Sequence, residues 1–290
     1  MPVRERYGGK ERWVALGLAV ALALGQGCAT PTANERAMSL ARQHREDEGI
    51  ATLRGELVKH PGNLEARSLL IRLLAFKGDL NGARVEVAEL QRRLPEGDPS
   101  AWIELGHAFE LAHRFEEALG AYDTAASEAP RNPEGPREGG MRCARWGEVE
   151  EARPRLEEAV RRGAHDAETW HALGLVRLHM HDLDAAGEAY REGLKADPKA
   201  LDNWLGLASV AVMKGDAPAA LAAYDAILER RPSYGAAELG RAWALAKMGR
   251  SEDAKHALDH AEELGAPQLN IDKQRAALAT PAPASTPAAP

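Results

Sequence analysis

Alanine recurs at one interval through most of this chain: Ala83, Ala118, Ala152, Ala186, Ala220 and Ala254, in steps of 35, 34, 34, 34 and 34. Proline keeps the same beat at Pro61, Pro95, Pro130, Pro198 and Pro232, with Ala164 in the vacant slot. Trp102, Trp170 and Trp204 each lie sixteen residues before a marker alanine. A fixed period of this length points to a stack of small identical units rather than to a globular enzyme fold.

Residues 167–200 show how one unit works. Trp170 and Leu173 place apolar groups on one helical face beside the small Gly174, a turn follows at His181-Asp182, and a second helix carries Ala186 and Tyr190 before Pro198 ends it. Glycine and alanine at the crossing let two antiparallel helices approach. The tyrosine four residues past the alanine shares its face and fills the space beside the crossing. Proline lacks an amide hydrogen and marks the boundary between units.

These residues resemble the tetratricopeptide repeat, a helix-turn-helix unit of about 34 residues. The resemblance spans residues 30–267 and is best matched at 101–130, 167–200 and 203–232. The implied fold is all-α, an α-solenoid of stacked helix-turn-helix pairs wound into a right-handed superhelix. Its units are a degenerate first one at 34–63, where Gly49 replaces the alanine, then 64–98, 99–132, 133–166, 167–200, 201–234 and 235–267. Residues 268–278 are expected to form a closing helix, since solenoids need a polar cap. Residues 279–290, ATPAPASTPAAP, are expected to be a disordered Pro/Ala-rich tail.

The unit at 133–166 departs from the pattern. Gly135, Pro136, Gly139 and Gly140 fall where its first helix belongs and Pro154 falls inside its second. Each interior glycine costs about 1 kcal/mol against alanine. Period and propensity therefore conflict, and this segment is expected to be the least stable of the array and a place where it bends.

Residues 1–27 stand apart from the repeats. Four basic residues within the first twelve precede an uncharged stretch at 13–27, WVALGLAVALALGQG, which is shorter than the roughly 20 residues a membrane span needs. That is the layout of an export signal. The sequence around Cys28 resembles the lipobox of bacterial lipoproteins, although Gly25 stands three residues before the cysteine where that family prefers leucine. The resemblance implies lipidation of Cys28, a short linker at 28–33 and, with Ala29 next, an outer-membrane location facing the periplasm. An ordinary cleaved signal and a soluble periplasmic protein is the other reading. The second cysteine, Cys143, aligns with Leu74, Phe109, Ala211 and Leu245 and reads as a small buried thiol.

Charge and motifs restrict the function. The formal net charge is −7, and loss of residues 1–27 would remove four positive and two negative charges, leaving about −9. Basic clusters with interleaved aromatics are missing, so nucleic-acid binding lacks its electrostatic footprint. There is no phosphate-binding glycine loop, nucleophile elbow or paired-cysteine metal site. His165, His171, His179 and His181 lack the i, i+4 spacing of a chelating pair. His113 and His181 instead occupy the turn position held elsewhere by Gly78, Gly147, Gly215 and Gly249, where histidine tolerates a left-handed backbone. The expectation is a non-enzymatic chain with no cofactor, metal, nucleic acid or small-molecule substrate.

In the tetratricopeptide family the first helices of successive units line a groove that takes peptides or helices. Carried onto this sequence, that groove comprises Ile103, His107, Leu111, Arg137, Met141, His171, Leu178, Ser209, Met213 and Trp243, with Lys247 at its end. Leu175, Leu205 and Leu239 share these faces, Leu175 and Leu205 reading rather as core between repeats. The predicted groove is mostly apolar with scattered histidine and suits an extended segment or an amphipathic helix of a partner. The layout is similar to pilotin lipoproteins that assist type IV pilus secretin assembly. It also resembles repeat lipoproteins that recruit peptidoglycan enzymes or support outer-membrane protein insertion. Either resemblance implies an envelope client.

Overall fold

The computed structural model describes residues 31–279; residues 1–30, which include Cys28 and the stretch read as an export signal, and residues 280–290 lie outside them. The described residues form fifteen α-helices and no strand. The chain divides into two compact units, Met1–Ala164 and His165–Pro290. In the first, the helices are α1 (Ala33–Arg42), α2 (Glu46–Lys59), α3 (Leu64–Lys77), α4 (Leu80–Gln91), α5 (Ser100–Leu111), α6 (Phe115–Glu128), α7 (Glu134–Trp146) and α8 (Val149–Arg161). In the second they are α9 (Ala167–His179), α10 (Leu183–Ala196), α11 (Leu201–Lys214), α12 (Ala217–Arg230), α13 (Gly235–Lys247), α14 (Ser251–Glu263) and α15 (Gln268–Ala279). Within each unit every helix packs on the next, so the pairs stack as repeats.

One turn joins the two helices of each pair. The first helix ends on a left-handed residue: Gly78, Gly147, Gly215 and Gly249, or His44, His113 and His181, whose φ values lie between 58° and 60°. The residue after it donates its amide to the carbonyl five positions back, as in Asp79 to Leu74, Arg114 to Phe109, Asp182 to Arg177 and Asp216 to Ala211. That bond satisfies a carbonyl the helix end would leave unpaired. Where this same residue is Asp79, Asp182 or Asp216, its side chain also caps the second helix by accepting from the amide three residues on. Where it is Arg45, Arg114 or Arg250, the guanidinium pairs with Glu48, Glu117 or Asp253 in the next turn.

The ends of the pairs follow the prolines. His60, Ala129, Asp197 and Arg231 are drawn out of the helical region, with φ between −123° and −141°, because each precedes a proline whose ring blocks the α conformation. Ala164 has no such ring after its helix. There Gly163, at φ 106°, closes α8 instead, and the Ala164 amide donates to Ala159.

The core repeats as well. The marker alanines Ala83, Ala118, Ala152, Ala186, Ala220 and Ala254 are all fully buried. Tyrosine rings lie against glycines sixteen residues away in either direction. A Cβ on Gly174 would sit 2.6 Å from Tyr190 Cε1, and one on Gly206 would strike the same ring. Tyr122 lies against Gly106, and Tyr224 against Gly240.

The irregular segment is helical without a break in α7, and α8 continues through Pro154 to Arg161. The glycines that weaken its propensity mark close approaches. A Cβ on Gly135 would lie 2.5 Å from the Ala126 backbone nitrogen, and one on Gly140 would lie 2.7 Å from Leu156 Cγ. Gly135, Pro136, Gly139, Gly140 and Cys143 are all buried. Beyond α8, Arg162 Nη1 donates to the carbonyls of Ala126 at 2.8 Å and of Ala129 and Asn132 at 3.3 Å, fixing the end of α6.

Candidate partner-binding faces

The first helices of the pairs carry the faces on which a partner was expected, and the two units build them differently. In the first unit, α3, α5 and α7 present charged side chains at i, i+3 and i+4 spacings that meet across successive pairs. Arg72 on α3 donates from Nε and Nη2 to the two carboxylate oxygens of Glu104 on α5, at 2.8 and 2.7 Å. Tyr122 on α6 donates its hydroxyl to Glu110 Oε1 at 2.7 Å. Arg142 on α7 reaches the same oxygen with Nε at 2.8 Å and donates from Nη2 to Glu138 Oε2 at 3.0 Å. His107 stands at the centre, 3.3 Å from Glu138 Oε2 and 3.2 Å from Arg142 Nη2 through Nε2, and 3.9 Å from Glu104 Oε2 through Nδ1. Its ring meets Tyr122 edge-on at 5.9 Å.

Burial and charge act against each other here, and charge wins. Burial resists ionisation of Glu138, yet the His107 hydrogen bond and the fields of Arg142, His107 and Arg137 hold it down at about 2. Burial likewise resists charge on Glu104, and bonds from His107 and Arg72 still hold it below the usual carboxylate range. Burial opposes a cationic His107, but its bonds to Glu104 and Glu138 raise its pKa above the free value. Burial and the Glu110 charge keep Tyr122 a neutral phenol.

This network corrects the expected apolar groove in the first unit. Its own residues occupy the face. Leu111 is 3% exposed within the core and offers nothing to a partner. Ile103 is half-buried against the same core, and Arg137, Met141 and His107 are half-buried, with Arg137 3.3 Å from Glu138. Sequence mapping chose Arg137 and passed over Arg72, Glu104, Glu110, Glu138 and Arg142. The available signal was opposite charge about one period apart on first helices, Arg72 to Glu104 and Glu110 to Arg142.

In the second unit the corresponding face is more apolar, with Met213 exposed and its other large apolar side chains half-buried or buried. Met213 is 47% exposed on α11. Trp243 on α13 is half-buried against the Ala211–Ala220–Ala244 cluster. Leu178 packs against Tyr190 and Val210, and Leu175 and Leu205 are half-buried. Leu239, 7% exposed, belongs to the core. Ser209 is exposed but returns its hydroxyl to the Leu205 carbonyl at 2.9 Å, and Lys247 is exposed beyond it. Burial lowers the pKa of His171, against the fields of Asp202 and Glu168, and its ring lies 5.9 Å from that of Tyr190. This unit also hides a carboxylate that sequence reasoning missed. Glu238, 4% exposed, pairs with His260 Nδ1 at 2.8 Å and Arg241 Nη1 at 3.5 Å.

Cys143 is fully buried, and burial pushes its thiol up to about 11, which suppresses the reactive thiolate. Among the described residues no group of three His, Cys, Asp or Glu is placed to hold a metal, and no helix is long and apolar enough to cross a membrane.

Residues 145–200, 171–235 and 205–268 match the tetratricopeptide repeat family. No curated protein matches the sequence. Among solved structures, a tetratricopeptide protein from Cytophaga hutchinsonii superposes with a TM-score of 0.62 at 14% identity, over 82% of this chain and 97% of that one. YrrB, described as a TPR protein with an unusual peptide-binding site, gives 0.57 at 18% identity over 62% and 93%. Pseudomonas aeruginosa pilF gives 0.55 at 19% identity over 74% and 97%. At these identities the likeness is one of fold, and the fold is the stacked helix-pair repeat.

Proposed function

We propose that the chain is a non-enzymatic adaptor held at the periplasmic face of the outer membrane by lipid on Cys28, and that it binds an envelope protein through the first helices of its second unit. The observation that carries the binding part is the difference between the two faces. Arg72, Glu104, His107, Glu138 and Arg142 pair with one another on the first, whereas on the second Met213 is exposed and Trp243 is half-buried at the edge of the core. Large apolar side chains left at such a surface mark an interaction site, and a helix or extended segment with apolar anchors fits it. YrrB's peptide-binding description supports the same use of this fold. The anchor rests on the sequence around Cys28, where more than one acyl chain would give stable attachment. Among envelope machines, secretin assembly for type IV pili is the reading whose lipoproteins share this layout; recruitment of peptidoglycan enzymes and outer-membrane protein insertion use related ones.

A photo-crosslinker at Ser209, in the organism of origin, is expected to trap one discrete envelope protein, with the adduct lost on Met213→Asp or Trp243→Ala while helicity is retained. A crosslinker at Val85, exposed on α4, serves as the control. The same adduct from both positions, or its survival in both variants, removes the binding proposal. Fatty-acid labelling lost on Cys28→Ser supports the anchor. An unlabelled, freely soluble protein means the chain works as a periplasmic scaffold, and undiminished secretin multimers in a deletion strain eliminate the pilus role.

A further inference from the structure

His107 makes two contacts through one nitrogen that cannot both be hydrogen bonds. Nε2 lies 3.3 Å from Glu138 Oε2, an acceptor, and 3.2 Å from Arg142 Nη2, a donor. A protonated Nε2 can donate only to Glu138, and a bare one can accept only from Arg142. Both partners sit on α7 while the ring belongs to α5, so the proton on this ring decides how two first helices are joined.

We propose that His107 is a proton-operated latch between α5 and α7. With the ring charged, Nε2–H donates to Glu138 and Nδ1–H faces Glu104, 3.9 Å away, so a cation is held between carboxylates of two helix pairs. With the ring neutral and Nε2 bare, Arg142 turns its Nη2 hydrogen to the imidazole and the α5–α7 link loses one ion pair. The groups that face the ring are Arg72 on α3, by way of Glu104; Glu104 itself and Glu110 on α5; Tyr122 on α6; and Glu138, Arg137 and Arg142 on α7. Arg84 on α4 lies over the Phe109 ring, 5.3 Å from its centroid. With His107 neutral, Arg72, Arg137 and Arg142 face four carboxylates, Glu104, Glu110, Glu134 and Glu138, so the added proton offsets the excess negative charge of the cluster.

The bonds to Glu104 and Glu138 raise the ring's pKa against the effect of burial. A raised folded-state pKa stabilises through the charged form. The contribution is complete below the unfolded value near 6.5 and disappears as pH climbs through the folded one. The latch is therefore closed below about pH 6.5 and opens as pH climbs through the folded value and Nε2 gives up its proton.

NMR titration of the histidine side chains in the full-length chain tests this. The His107 resonance is identified by its contact with the Tyr122 ring and by its loss in His107→Gln. The wild-type midpoint is expected above about 6.5, falling by roughly half a unit or more in Glu138→Gln. Exchange protection of α7 amides, as the ratio of wild type to His107→Gln, is expected to fall roughly threefold from pH 5.5 to pH 9. A wild-type midpoint at or below about 6.5, or one unmoved by Glu138→Gln, overturns the latch. If His107→Gln does not fold, the wild-type and Glu138→Gln midpoints decide alone.

Discussion

The ring of Tyr190 occupies space that two glycines leave open, Gly174 on α9 and Gly206 on α11, and neither glycine is there to turn the chain. The same substitution should then have opposite signs at different glycines. Gly174→Ala puts a methyl group against a ring and is expected to destabilise by about 1–3 kcal/mol. Gly135→Ala, directed at the backbone of Ala126, should lie at the top of that range, because a helix backbone gives way less than a side chain. Gly120 faces open space on α6, so Gly120→Ala should gain up to about 1 kcal/mol from propensity alone. Chemical denaturation of the three variants checks the order. A loss of stability for Gly120→Ala, or none for Gly135→Ala, means that packing does not explain these glycines. The pairing of Gly174 with Tyr190 was legible as a fixed offset in the sequence. The role of Gly135 was not, because propensity counts what a residue does to its own helix and is silent about the neighbour it admits.

At the scale of the element, α7 is a helix made from outside. Its glycines weaken it alone, while α6, α8 and its charges hold it in place. Arg142 reaches Glu110 on α5 and Glu138 within its own helix, and all three side chains are less than a fifth exposed. Arg142→Met keeps the packing and takes the shared cation from two buried carboxylates, leaving Glu110 with the Tyr122 hydroxyl and Glu138 with His107 and Arg137, which is expected to cost up to about 3 kcal/mol. The same change with Glu110→Gln and Glu138→Gln should recover much of the loss, since the destabilisation comes from unpaired charge. Thermal unfolding of the single and triple variants measures both. A triple variant no better than the single shows that Arg142 acts through packing. The helix boundaries were readable from prolines, turn residues and period, because these act locally. The network was legible only as opposite charges about one period apart, Arg72 to Glu104 and Glu110 to Arg142; that His107 joins them at its centre depends on the stacking of the helix pairs, because its spacing along α5 is that of an ordinary surface residue.

For the whole molecule the acid limb of stability belongs to carboxylates such as Glu138. Held at about 2 when folded, against an unfolded value of about 4.3, it contributes stability that is present above the unfolded value and lost as pH falls toward 2. Acid should therefore loosen the first unit between about pH 4.5 and 2, and Glu138→Gln should flatten that dependence while lowering stability near neutrality. Hydrogen exchange of α5 and α7 against pH shows it. Equal acid sensitivity in wild type and variant removes Glu138 as the cause. The second unit's apolar face has no comparable carboxylate among the residues proposed for the partner, so binding there and acid sensitivity of the first unit should separate in mutants.

Tyr190 meets the glycine sixteen residues behind it and the glycine sixteen residues ahead through one ring, so a boundary between neighbouring pairs uses the same contact as the inside of a pair. A tandem duplication of residues 167–200 is expected to recreate the tyrosine–glycine contact at the new joint, because each pair packs only on its neighbours. Gain or loss of a whole module would then change the length of the array while keeping the same joint.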